Sequence, residues 1–364
     1  MSAKRSANKL NEILPILEEP FLIAGPCSAE SEDQLLETAH GIAQTRRASA
    51  IRAGVWKPRT RPGSFEGIGV HALPWLVRAR EETGLPIATE VANAQHVEEA
   101  MKYGVDILWI GARTTVNPFY VAEIAEALSG TDVVVMVKNP IHPELGLWLG
   151  ALERLNKAGI DKLMAVHRGF FAMEVAPFRN DPKWELSFEI RKEWPDLPIL
   201  CDPSHIAGRR DLVEQVAQTA LDLNLDGLMI ETHRDPDKAL SDAAQQLTPA
   251  DLGKMMDRLI LKREEVTEDR TRQFLADIRT RIDAADERLV NVLAERFGLV
   301  EEIGKIKHDN GITVFQLQRW FDILQDRTQQ AQLKGLEEKF ITELFSVIHK
   351  YSVNRQTEMG RDSE

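Results

Sequence analysis

Seven residues of reactive type share one kind of position in the sequence. Arg52, Glu90, Arg113, Lys138, Arg168, His205 and Glu231 each lie at or just beyond the C-terminal end of a short apolar run, and an eighth run passes directly into Cys27. A single charge after an apolar run is ordinarily a solvated loop, but eight in phase are hard to explain that way. With Lys57 and Arg59, they bring six cations together (Arg52, Lys57, Arg59, Arg113, Lys138 and Arg168) in a chain whose net charge is −12. Local positive density against that background suits a small polyanion carrying phosphate and carboxylate groups. A second subset, Cys27, His205, Glu231 and Asp242, offers a thiolate, an imidazole and two carboxylates. That donor set suits a divalent transition metal; hard-oxygen Mg²⁺ or Ca²⁺ sites do not need a thiolate. The four are scattered along the chain, so spacing alone argues little. Taken by itself, Cys27 reads as a small buried residue, as Cys201 does inside its run.

The runs that must position these groups are FLIAG (21–25), SAIRAG (49–54), PIATEV (86–91), DILWIGA (106–112), VVVMVKN (133–139), KLMAVHRG (162–169), PILCDPSH (198–205) and GLMIETH (227–233). Between them lie segments with helical spacing, such as EDQLLETAHGIAQT, QHVEEAMKYG and DLVEQVAQTALDLN. Each run is too short for a helix, and each gap is long enough for a parallel crossover. Eight such units fit a closed (β/α)8 barrel, whose strand C-termini converge on one catalytic face; a doubly wound open sheet is the competing arrangement. The acidic balance argues against nucleic acid and against an anionic membrane surface. The opening MSAKRSANKLNEILPIL lacks a secretory core, and no stretch is apolar for the length of a membrane span, so a cytoplasmic protein is expected.

The pieces AGPCS (24–28), RAGVWKPRT (52–60), IGAR (110–113), HRG (167–169), DPSH (202–205) and ETH…KALSD (231–242) stand in the order found in 3-deoxy-D-arabino-heptulosonate 7-phosphate (DAHP) synthases. Over residues 20–260 the chain resembles the type I beta branch of that family. The related keto-deoxy-octulosonate phosphate synthases carry KANR where this chain has KPRT. The resemblance implies a condensation of phosphoenolpyruvate with erythrose 4-phosphate. Arg52 and Lys57 would hold the phosphoenolpyruvate carboxylate, Arg113, Lys138 and Arg168 its phosphate, and Pro58, Arg59 and Thr60 the sugar-phosphate end. Cys27, His205, Glu231 and Asp242 would hold one divalent metal of the Mn, Fe, Co or Zn kind, with Glu90 and Asp202 orienting groups behind it. The continuation RPGSFEG departs from a Ser-Pro-aromatic pattern common among relatives.

LTPADLGKMMDRLI (247–260) reads as the last barrel helix, so the barrel domain is expected over 1–260, a stiff charged linker over 261–270, and a helical domain over 271–364. Leu275, Ile278, Ile282, Ala285, Leu289, Val292, Leu299, Ile303 and Ile306 form one amphipathic stripe, interrupted at Arg296. An arginine there either snorkels at the edge of a coiled-coil seam or serves a ligand. Arg296 and Lys307 fall within roughly 20° on one helix face and about 16 Å apart along it, a spacing that suits a small dianion. Arg279 is about 25 Å from Arg296 along the same axis and could join its site only from a second copy of the chain. An intertwined homodimer, or a higher oligomer built on it, follows.

IRTRIDAADERLVNVLAERFGLVEEIGKIK (278–307), with QLQRW (316–320) and ITELFSVIHKYSVNRQ (341–356), resembles the all-helical chorismate mutases. That resemblance implies rearrangement of chorismate to prephenate, with no cofactor in this domain. Arg279 from the second copy, Arg296 and Arg319 would act as carboxylate clamps, and Lys307 and Gln356 would contact the ether oxygen, with Ser352 nearby. Gln316 and Trp320 occupy positions that are often acidic in the family. Three readings stand here: an active mutase, a catalytically silent sensor of chorismate or prephenate that controls the barrel, and a dimerisation module. Residues 1–20 leave no room for a separate regulatory domain before the first strand, so feedback is expected through the helical part.

Overall fold

A computed structural model describes residues 20–57, 63, 65–173, 177–262, 266 and 268–361. The chain divides into two compact units, Met1–Glu264 and Glu265–Glu364, with the division inside the charged stretch 261–270.

In the first unit eight parallel strands close into a barrel in sequence order: β1 (Phe21–Gly25), β2 (Ala50–Arg52), β3 (Ile87–Val91), β4 (Ile107–Ile110), β5 (Val134–Lys138), β6 (Leu163–His167), β7 (Ile199–Cys201) and β8 (Gly227–Glu231). The open sheet is thereby excluded, since β1 pairs with β8 from Phe21↔Gly227 to Gly25↔Glu231. Eight longer helices alternate with the strands: α1 (Glu32–Thr45), α2 (Leu73–Thr83), α3 (Ala94–Lys102), α4 (Pro118–Leu128), α5 (Leu145–Lys157), α6 (Trp184–Glu193), α7 (Val213–Asp222) and α8 (Pro249–Arg258). Their starts are written locally. Ser31, Asn93, Asn117 and Thr248 each cap a helix by accepting a backbone N–H within its first turn.

Strand side chains alternate between two apolar layers. Residues of one parity, such as Leu22, Ile51, Leu108 and Val135, pack outward with the helices. Residues of the other parity fill the barrel interior: Phe21, Ile23, Ala50, Ala88, Ile107, Trp109, Val134, Met136, Met164, Val166, Leu200 and Met229. This is a solid plug, as a barrel of eight strands requires.

The second unit has three helices: α9 (Asp269–Asp309), α10 (Leu317–Leu333) and α11 (Glu338–Arg361). At 1.5 Å per residue α9 is about 60 Å long. Little of it is covered within one chain: Ile282, Leu289, Val292, Leu299, Ile303 and Ile306 on the expected stripe are each at least 51% exposed. Among the described residues no helix is long and apolar enough to cross a membrane.

Candidate active sites

The inward parity of the strands continues one step past the apolar plug, and at that step the side chains become charged. Ala50 is followed by Arg52, Ala88 by Glu90, Met136 by Lys138, Val166 by Arg168, Leu200 by Asp202 and Met229 by Glu231. A polar ring therefore crowns the plug at the strand C-termini. His167, of opposite parity, points the other way: its ring lies 5.0–6.2 Å from those of Trp184, Phe170 and Trp148. Burial pushes its pKa down to about 3, so it is a neutral packing residue between barrel and helices.

Three of the four expected metal ligands converge. The ligand atoms of Cys27, Glu231 and Asp242 lie within 4.8 Å of one another, and His205 Nε2 joins them 3.9 Å from Glu231 Oε1. The Cys27 thiol donates to Asp242 Oδ2 at 3.3 Å and accepts from Lys57 Nζ at 2.9 Å. Burial, reinforced by Glu231, pushes that thiol up to about 12, with Lys57 opposing. Burial disfavours charge on Asp242 as well, yet His205, Lys57 and Arg179 hold its pKa below the carboxylate range. Asp242 also sits at φ 47°, a left-handed conformation that strains a non-glycine residue. Glu231 Oε2 accepts from Gln245 at 2.7 Å, but Oε1 is fully buried and makes no hydrogen bond, only an oblique 3.3 Å approach from Arg52. A buried carboxylate oxygen without a donor, beside a thiol, a second carboxylate and an imidazole, fits a bound divalent transition metal.

Behind the ligands lies a scaffold of hydrogen bonds. Asp202, wholly buried, accepts from Lys138 Nζ at 2.7 Å and from the His205 backbone N–H at 3.1 Å, and its Oδ2 lies 2.8 Å from His205 Nδ1. One carboxylate thus touches both a cation of the ring and the imidazole of the metal cluster. Arg52 donates to the Cys27 carbonyl at 3.3 Å and lies over the Trp109 ring at 4.8 Å. Its Nε and Nη1 are buried with no partner, the state of a guanidinium shaped for an anion. The Trp109 indole donates to Glu90 Oε2 at 3.1 Å, and only a glycine at 111 leaves room for Glu90, because a Cβ there would lie 2.1 Å from Oε1.

A cavity of about 330 Å³ opens over this ring, lined by Lys57, Glu90, Arg113, Lys138, Arg168, His205 and Asp242, among others. Arg113 is exposed, and burial lowers the Arg168 guanidinium to about 10. Pro58, Arg59 and Thr60 lie outside the described residues. Sequence reasoning missed Arg179, Asn180, Gln245 and Gln246. Arg179 and Asn180 line the cavity, with Arg179 donating to Asp242 Oδ1 and Gln245 Oε1 at 3.0 Å each. Gln246 accepts from the Cys27 N–H at 3.0 Å. These residues sit on loops or, for Gln245, in a single 3-10 turn (Ala243–Gln245), and nothing in their types or spacing marked them.

In the helical unit Arg296 reaches from α9 to α11, where Nη1 donates to Ser352 Oγ at 2.8 Å. Its head group is thus turned toward α11 and bonded within the unit. Lys307 donates to the Val314 carbonyl at 2.7 Å, and Gln356 packs against Gly304, where a Cβ would lie 3.1 Å from Gln356 Cγ. Arg296, Lys307, Ser352 and Gln356 are thus placed along the facing sides of α9 and α11. Arg279 and Arg319 are exposed and make no hydrogen bond or ion pair among the described residues. Trp320 stacks on His349 with centroids 4.1 Å apart, a partner that the sequence reading did not single out.

A closed barrel with a mixed thiol–imidazole–carboxylate cluster beneath a cation-rich cavity defines the class: a (β/α)8 barrel with a candidate metal site at the C-terminal ends of its strands. The sequence profile of the DAHP synthetase I family matches residues 17–268, most of the chain, and the chain belongs to that family. The chorismate mutase type II profile matches residues 278–357, so both domains are present in one polypeptide. A phospho-2-dehydro-3-deoxyheptonate aldolase of Thermotoga maritima is 35% identical over 62% of this chain and 64% of its own length. A 2-dehydro-3-deoxyphosphooctonate aldolase of Nitratidesulfovibrio vulgaris is 30% identical over 61% of this chain and 84% of its own. The crystal structure of the Thermotoga maritima DAHP synthase superposes with a TM-score of 0.60 at 32% identity, covering 66% of this chain and 67% of that one.

Proposed function

We propose that the barrel condenses phosphoenolpyruvate with erythrose 4-phosphate to DAHP and inorganic phosphate, and that the helical unit rearranges chorismate to prephenate, two steps of aromatic amino-acid biosynthesis. The observation that carries the first reading is the charged ring above the plug: Lys57, Lys138 and Arg168 line the cavity, and Arg52 of the same ring keeps two buried guanidinium nitrogens unpartnered. Arg52 and Lys57 bind the enolpyruvate carboxylate. Arg113, Lys138 and Arg168 take its phosphate, and Pro58, Arg59 and Thr60 receive the aldose phosphate. Cys27, His205, Glu231 and Asp242 would hold a divalent metal, which would supply Lewis acidity toward the sugar aldehyde. The residues around it align the enol carbon with that aldehyde, and Lys138 and Arg168 favour departure of phosphate once water has added. KPRT at 57–60, in place of KANR, supports the four-carbon over the five-carbon aldose. Assay with erythrose 4-phosphate and with arabinose 5-phosphate, before and after chelation, tests this; turnover of only the latter would reverse the choice.

For the helical unit, the reach of Arg296 to Ser352 above Lys307 supports a dianion site rather than a bare dimerisation helix. The reaction is unimolecular, and the cations serve by holding a compact conformer and stabilising charge on the breaking C–O bond. A homodimer along α9 is supported by its half-exposed stripe, since covering the remaining half of each such side chain is worth about 1 kcal/mol. It would also bring in Arg279 from a second copy. Soluble, phosphorylated substrates support a cytoplasmic setting. Conversion of chorismate by the full chain, lost in Arg296→Ala, is the test. Absence of turnover with retained chorismate binding would favour the feedback sensor instead.

A further inference from the structure

The helical unit holds one group that the roles above leave unused. His349 lies three residues before Ser352 and seven before Gln356, so the three share a face of α11. Its ring stacks on the Trp320 indole with planes 18° apart, and Phe315 approaches at 5.7 Å. From α9, Arg296 and Lys307 are the charged groups that act on it; Trp320 and Phe315, facing it from α10 and the segment before α10, carry no charge. Two polar atoms of this cluster, His349 Nε2 and Gln356 Oε1, are buried with no hydrogen-bond partner. Orphaned polar atoms are costly, and a pair of them beside two cations marks a place where a ligand completes the hydrogen bonding.

Burial, and then the fields of Arg296 and Lys307, lower the imidazole pKa from its ordinary value and so favour the neutral ring. A dianion settling between those two cations offsets their field, the part of that shift a ligand can remove. The stacked indole face favours a protonated ring as well, by cation–π attraction.

We propose that His349 is a further ligand-recognition residue of the helical site, taking up a proton from solvent when a compact dicarboxylate binds beside Arg296 and Lys307. This rests on the mutase reading above. Affinity then strengthens as pH falls from the pKa of the bound state toward that of the free state. Each unit between the two is a tenfold change in Kd.

The experiment is calorimetric titration of the full chain with prephenate from pH 6.5 to 8.5, in buffers of low and high ionisation heat. The wild-type protein is expected to show net proton uptake and a Kd that tightens toward pH 6.5. His349→Gln, which cannot be protonated, should lose the uptake and give a flat Kd; His349→Phe, which retains the stack on Trp320, should do the same. Proton uptake and slope unchanged in both variants would overturn the proposal while leaving the mutase reading intact. Binding by the wild-type protein with no pH dependence would do likewise. No binding of prephenate at any pH, with no turnover of chorismate, would remove both.

Discussion

Replacing Asp202 by Asn perturbs a carboxylate that bridges Lys138 of the cation ring and His205 of the metal cluster. Oδ2 accepts from Lys138 Nζ at 2.7 Å and lies 2.8 Å from His205 Nδ1, while Oδ1 accepts from the His205 N–H at 3.1 Å. An asparagine has one acceptor oxygen, so its NH₂ must face either the Lys138–His205 side or the backbone N–H. Either way a buried donor meets a donor, and the Lys138 ammonium, 5% exposed, loses its counter-charge. Breaking one side of a buried pair costs about 3–5 kcal/mol. At roughly 2–4 °C per kcal/mol for a unit of this size, Tm should fall by ~10 °C. Loss of the group that orients a metal-binding imidazole should weaken metal affinity ~10–100-fold. Although burial opposes it, His205 and Lys138 hold the Asp202 pKa well below the carboxylate range. Its stabilising contribution is therefore present above the unfolded value of about 4 and is lost as pH falls through the folded value, so D202N should flatten the acid limb of the stability curve. Thermal unfolding followed by circular dichroism, together with chelator competition for the metal, reads both effects. A Tm within about 2 °C and an affinity within about twofold of wild type would show that Asp202 neither balances Lys138 nor orients His205.

Other variants probe separate parts of the molecule. Cys27→Ala should abolish metal-dependent condensation. Because the Cys27 thiol sits at about 12 before a metal binds, binding at pH 7 should release close to one proton, measurable as a buffer-dependent heat; none released would remove the thiolate from the ligand set. Gly111→Ala places a Cβ 2.1 Å from Glu90 Oε1 and should displace that carboxylate from Trp109 Nε1, lowering condensation activity while the barrel still folds; unchanged kinetics would show Glu90 to be a bystander. Leu289→Glu, on the half-exposed stripe of α9, should turn the expected dimer into a monomer by light scattering and depress chorismate turnover, whereas an unchanged mass would place the interface elsewhere.

Eight short apolar runs alternating with helical segments were enough to indicate a barrel, while the two-residue period of the strands, seen once they pair, sets which residues face inward. Once Ala50, Met136, Leu200 and Met229 enter the plug, Arg52, Lys138, Asp202 and Glu231 must stand above it, because strand geometry allows no other side. The seam of α9 was legible for the same reason, as a local helical period. Residue type narrowed the chemistry further, since thiol, imidazole and carboxylate together suit few ions. What the chain alone could not settle is whatever depends on loops folding back across long sequence separations. Arg179 against Asp242, Gln245 against Glu231, Gln246 against Cys27 and Trp320 against His349 leave no periodic trace. Each arises when elements with separate local rules are packed together. Tertiary packing also decided which polar atoms stay unpartnered, at Arg52, Glu231, His349 and Gln356, because burial and hydrogen-bond geometry are properties of the assembled surroundings and not of any residue in the chain.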